Sequence, residues 1–284
     1  MNLPKHKKWI APTVMAMAAA SAVAYYVYQS RQIEVTEYVY GNPKIPEAFE
    51  GFRMAVVTGL RVRRFGKEQE KLIDLLKKNE PNLIAIIGDL HGYRDRQNPP
   101  LMAFIGQAIK IAPTYMVPGH RDDQGSRGGA PLQKALSEVG AVVLDNQKET
   151  LYRDGAVLEL IGLRDCGCAV RAAGITRRAL QVHDALKTIA AGPTGNLRIL
   201  LSGRPGPAEV CLANGVDLAL SGSADRILRA KQQGDLERAA GRHQTGALTL
   251  IISRGAGNHF FPVRINHRPE LVMVTLTGKD KKSR

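Results

Sequence analysis

The sequence predicts an α/β fold in which two packed, mixed β-sheets are flanked by helices, preceded by one apolar N-terminal helix. Three observations carry this. Short, wholly apolar runs such as Leu83-Ile84-Ala85-Ile86-Ile87 read as strands buried on both faces, the mark of parallel sheets. Through the first half these runs alternate with stretches of helical spacing, the pattern of βαβ units. Toward the C-terminus, strands follow one another without helices between them, which adds antiparallel pairing and a second sheet.

The elements follow in order. Residues 10–28 carry no charged side chain, and this length at ~1.5 Å per residue nearly matches a hydrocarbon core of ~30 Å. They predict a transmembrane anchor over residues 10–29, behind a basic N-terminus, residues 1–9, that holds Lys5, Lys7 and Lys8. The positive-inside rule keeps that N-terminus in the cytoplasm. The chain then crosses the cell membrane once and its domain lies outside the cytoplasm, with Tyr25, Tyr26 and Tyr28 at the outer interface. Ala22-Val23-Ala24 also fits the cleavage box of a signal peptide, which places the domain on the same side. A connector is expected over residues 30–50, with turns at Asn42-Pro43 and Ile45-Pro46.

A single domain is expected over residues 51–278, followed by a basic tail, 279–284. Residues 54–57 form a short strand. Residues 67–79 have helical spacing, with Leu72, Ile73, Leu75 and Leu76 on one face. Residues 83–87 are the next strand, 101–111 a helix, 115–117 a strand, 132–139 a helix and 141–144 a strand. Residues 151–152 and 157–161 read as an antiparallel pair. A helix over 179–191 precedes buried strands at 199–201 and 218–220. Alternating patterns at 248–252 and 272–276 close the domain.

Composition is that of a globular protein, 44% hydrophobic and 23% charged. The formal net charge of +14 favours anionic partners such as lipid headgroups or phosphorylated ligands. Specific nucleic-acid binding is not expected, because only 5% of residues are aromatic and no basic-aromatic block occurs. Three cysteines, two of them in Cys166-Gly167-Cys168, provide neither a closed disulfide framework nor the spaced pairs of a zinc site.

Glycine-rich turns after strands are the candidate chemistry, since open α/β sheets place ligands at the C-terminal edges of their strands. They are Thr58-Gly59-Leu60-Arg61, Gly88-Asp89-Leu90-His91, Pro118-Gly119-His120-Arg121-Asp122, Ser202-Gly203-Arg204-Pro205 and Ser221-Gly222-Ser223-Ala224-Asp225. With these loops, and with Phe65-Gly66, Pro81-Asn82-Leu83-Ile84, Val143-Leu144-Asp145-Asn146, Ile161-Gly162-Leu163-Arg164-Asp165, Ser253-Arg254-Gly255 and Pro269-Glu270, the chain resembles the calcineurin-like metallophosphoesterases, in their bacterial membrane-anchored branch. The resemblance covers nearly everything from Met54 to Leu276.

The resemblance implies a four-layer sandwich and a pair of divalent metals held by Asp, His and Asn, with a further His assisting the leaving group. This chain departs from that pattern in four loops. Gly59 and Arg61 stand where the family has Asp-x-His. Asp89 keeps the bridging aspartate. His120 replaces the asparagine ligand, and Arg121 replaces the catalytic histidine. Gly203 replaces a ligand histidine, and Ser223 and Asp225 occupy the two histidine positions of the last loop. Glycine offers no side-chain donor atom, and arginine stays protonated without a lone pair.

The residues expected to be able to bind metal are therefore Asp89, His120 and Asp225, too few for a dinuclear centre. No cofactor is expected; the alternative is one divalent metal (Mn, Fe or Zn) in a rearranged site, to which His91, Asp122 and Asp123 could also contribute. The reading is an inactive homologue in which Arg61 and Arg121 bind phosphate or another anion, or pair with the stranded acids. The alternative is a weak phosphoesterase on a phospholipid or nucleotide-type substrate. Expected partners are the membrane, an anionic lipid or phosphorylated ligand, or an active paralogue.

Overall fold

The computed structural model describes residues 7–60, 64–88, 99–119, 122, 130–164, 174–192, 194–222, 240–257 and 268–279; within them the side chains of 7–11, 99–100, 130–132 and 174–181 are not described. Two six-stranded mixed sheets pack face to face, with helices on both outer faces. The first sheet has the order β1 (Glu34–Gly41), β12 (Glu270–Thr277), β2 (Arg53–Thr58), β3 (Leu83–Ile87), β4 (Thr114–Val117), β5 (Val142–Val143). The second has the order β10 (Gly241–Thr245), β11 (Leu248–Ser253), β9 (Leu218–Gly222), β8 (Leu197–Ser202), β7 (Ala156–Leu163), β6 (Gln147–Arg153).

Strand periodicity explains the layers. In β2, Met54 and Val56 face the second sheet, while Ala55 and Val57 face the outer helices. In β3, Leu83, Ala85 and Ile87 face inward and Ile84 and Ile86 outward. Both faces of these strands are buried, which is why they read as unbroken apolar runs. The inner cluster joins them to Leu197, Ile199 and Leu201 of β8 and to Leu218 and Leu220 of β9. Across the sandwich β2 faces β9, β3 faces β8 and β4 faces β7.

The outer helices cover the remaining apolar faces. On the first sheet lie α2 (Glu70–Asn79), α3 (Pro99–Ala108) and α4 (Ala130–Glu138), through Leu72, Leu76, Phe104, Ile105 and Leu136. On the second lie α5 (Gly174–Ile189) and α6 (Ala208–Ala213), through Val182, Leu186 and Cys211. Burial pushes the Cys211 thiol up to about 11, with Glu209 adding to the effect, so it is a packed core group rather than a nucleophile.

One expectation changes. Part of the segment expected to be a connector, residues 30–50, is β1, an edge strand paired in parallel with β12 along its whole length. Its alternating exposed and half-buried residues, next to proline turns, hide it among loop signals. The N-terminal helix, α1 (Lys7–Arg31), is present, but among the described residues no helix is long and apolar enough to cross a membrane. The span expected from the sequence begins at Ile10, whereas the described side chains begin at Pro12. Every residue from Pro12 to Tyr25 is exposed.

Candidate functional site

The C-terminal ends of β2, β3, β4, β8 and β9 meet at one rim, as parallel strands in two facing sheets require. Glycine allows the approach. Gly88 follows β3 with φ +66°, and a Cβ there would stand 3.2 Å from Cα of Gly203 and 3.9 Å from Cα of Gly119. A Cβ on Gly222 would stand 3.0 Å from Cβ of Thr58. Backbone hydrogen bonds continue the sheet into the rim: Gly59 N donates to Ile87 O at 3.0 Å, and Gly88 N to Val117 O at 2.8 Å.

Two expected ligand positions are among the described residues, Gly59 and Gly203, and both belong to this rim. Asp89, His120, Asp225, Arg61, Arg121 and Ser223 lie outside the described residues, as do His91 and Asp123. Asp122 is described and buried, and its carboxylate accepts the Gly119 N–H at 2.8 Å. That bond holds its own loop closed.

At Gly59 and Gly203 the rim offers no side-chain donor to the metal pair that the resemblance implies. Among the described residues, no group of three or more His, Cys, Asp or Glu is placed to hold a metal ion. Small hydroxyls stand at the strand ends instead. Ser202 and Ser221 Oγ atoms lie 2.8 Å apart, and Ser202 Oγ also donates to Arg204 O. Thr58 Oγ1 is the one buried side-chain polar atom without a hydrogen-bond partner among the described residues. An unpaired buried hydroxyl is costly, so Thr58 is an exception that a ligand or water at the rim would explain.

The border of the rim is built from charge pairs that the sequence presents only as motifs. Val143-Leu144-Asp145-Asn146 and Ile161-Gly162-Leu163-Arg164 come together across the two sheets. The Arg164 guanidinium donates to both carboxylate oxygens of Asp145, and Arg164 N donates to Asn146 Oδ1 at 3.0 Å. Burial pushes the Asp145 carboxyl up, but hydrogen bonds from Arg164 and Gln133 and the Arg164 charge hold it below its ordinary value. Gly162 permits the contact: a Cβ there would stand 2.2 Å from Cβ and 2.6 Å from O of Leu144.

A second clasp surrounds Glu270, which is buried. Its carboxylate accepts from Arg254 Nη2 at 2.8 Å, Arg254 N at 2.7 Å, Thr36 Oγ1 at 2.6 Å and Ser253 Oγ at 3.1 Å. Arg254 Nη1 reaches Glu34 at 3.2 Å. Burial works against the Arg254 charge, but Glu34 and Glu270 hold its pKa above the ordinary value. Beyond Arg254 the chain lies on the first rim loop, with Ala256 N donating to Thr58 O and Gly257 N to Gly59 O, each at 2.9 Å. Sequence spacing holds no signal for these partners, because Arg254 and Glu34 are 220 positions apart.

No family model matches the chain. The chain is 24% identical over 274 residues to the uncharacterized metallophosphoesterase YkuE of Bacillus subtilis, covering 92% of each chain. Among solved structures, the phosphopantetheinyl hydrolase of Mycobacterium tuberculosis superposes with a TM-score of 0.48 at 10% identity, over 71% of this chain and 88% of that one. GAP50, the anchor in the inner membrane complex of Plasmodium, gives a TM-score of 0.44 at 12% identity, over 72% of this chain and 71% of that one. The likeness to YkuE, nearly end to end, supports the metallophosphoesterase resemblance carried by the rim loops.

Proposed function

We propose that this is a membrane-anchored, metallophosphoesterase-like protein that binds a phosphate or other anion at the rim without hydrolysing it. The observation that carries the reading is that Gly59 and Gly203, two positions where the family pattern has metal ligands, both stand at the rim without a side-chain donor atom. A two-metal centre needs those ligands to generate hydroxide and to stabilise charge in an in-line displacement. Arg61 and Arg121 stand in the same loops by sequence, and a guanidinium can hold phosphate through two parallel hydrogen bonds. A scaffold role toward an active paralogue fits the same loss of ligands.

Anchoring is supported by α1, whose residues from Pro12 to Tyr25 are uncharged and exposed. Such a surface is stable when lipid covers it. The proposed placement is a single pass through the cell membrane, with Lys5, Lys7 and Lys8 on the cytoplasmic side.

The test is the metal content of the full chain, purified in detergent and dialysed separately against Mn²⁺, Fe²⁺ and Zn²⁺. Near-zero stoichiometry is expected in all three. One or two equivalents, abolished by Asp89→Ala, would overturn the reading. That outcome would favour the second reading, a weak metal-dependent phosphoesterase, which the likeness to YkuE supports.

A further inference from the structure

The apolar helix and the glycine rim leave the sandwich at the same end. β1 runs parallel to β12, with Glu34 beside Glu270. β12 runs antiparallel to β2, whose C-terminal end, Thr58, forms part of the rim. The first residue of β1 therefore lies at the rim end, and α1 ends at Arg31, just before it. The junction is pinned rather than loose. Ser30 is buried, Glu34 N donates to Pro269 O at 2.8 Å, and Arg254 binds Glu34. Arg254 thus joins the start of β1, just after α1, to the segment that lies on Thr58 and Gly59.

We infer that the rim faces the lipid surface that takes up α1, so that its ligand is a phosphate carried on a lipid headgroup of that membrane. This rests on the anchor and anion-binding reading above. Lipid is the occupant that suits α1: its exposed stretch is uncharged, lysines precede it, and Tyr25, Tyr26 and Tyr28 stand at its foot, the residue type favoured at a membrane interface. A short, pinned junction leaves the rim close to that interface. Headgroups there are presented at high effective concentration, an advantage a soluble phosphoester lacks.

The experiment uses the full chain in vesicles. Cys166 and Cys168 are changed to Ser, and buried Cys211 is left in place. One variant carries Gln147→Cys, at the rim end of β6, and another carries Asp154→Cys, in the turn at the opposite end. Both positions are exposed and lie roughly 20 Å apart along the strand. A donor dye on each reports energy transfer to acceptor dyes on the lipid headgroups. Transfer is expected to be stronger from position 147. Equal or reversed transfer, with the protein still floating with the vesicles, would overturn the orientation and leave the anchor standing. Failure to float would remove the anchor and this inference together. Thermal unfolding is then compared in phosphatidic acid vesicles, in phosphatidylcholine vesicles and with soluble glycerol phosphate. A rise with phosphatidic acid vesicles alone is expected. An equal rise with glycerol phosphate would assign a soluble ligand and overturn the lipid class.

Discussion

The border of the rim and its centre are built on opposite principles. At the border, Asp145–Arg164 and Arg254–Glu270 are charge pairs closed by several hydrogen bonds each. At the centre, Gly59, Gly88, Gly203 and Gly222 bring backbones together and contribute no side-chain chemistry. The shape of the site is therefore held by residues other than those that would act in it. The cleft can therefore keep its shape whatever side chains the rim loops carry, because the clasps lie outside those loops.

Three substitutions sharpen this contrast, from the largest expected effect to the smallest. Arg254→Met leaves the buried Glu270 carboxylate without its cation. Breaking a buried pair in this way costs about 3–5 kcal/mol, and the remaining donors from Thr36 and Ser253 favour the lower end. Denaturant unfolding measures it, and a loss below about 1 kcal/mol, the level of an exposed pair, would show that the clasp does not hold the border.

Gly162→Ala puts a Cβ against Leu144 backbone, where the neighbour cannot turn aside. Overpacking of this kind costs about 1–3 kcal/mol, read from the same unfolding curves. An unchanged midpoint would mean that the two sheets are free to shift at this edge.

Thr58→Val removes the unpaired hydroxyl at the centre while keeping a similar shape. Stability is expected to stay level or to rise by up to about 1 kcal/mol, since no protein hydrogen bond is lost. If phosphate binding weakens while stability holds, the hydroxyl is a ligand contact. A marked loss of stability would instead show that Thr58 has a structural partner and belongs with the border.

Legibility follows the same division. The strand at residues 83–87 is identical in sequence reading and structure, because burial on both faces leaves an unmistakable apolar run. The antiparallel pair of β6 and β7 is legible as well, although it is longer than its apolar residues suggest. Two of the edge strands are not. β1 and β10 each pair on one side only, so their exposed polar residues look like those of loops. α6 is too short for helical periodicity to show.

By itself the sequence determined the α/β class, the order of the buried strands, and the glycine-rich turns that follow them. Those properties are local: each follows from the pattern of a few neighbouring side chains. Only the tertiary structure decided that the glycine turns share one rim, that Arg254 links the start of β1 to that rim, and that α1 leaves the domain at the same end. These depend on which strands pair and in which direction, and contacts such as Arg254 with Glu34 join residues too far apart in the chain for any local pattern to record them.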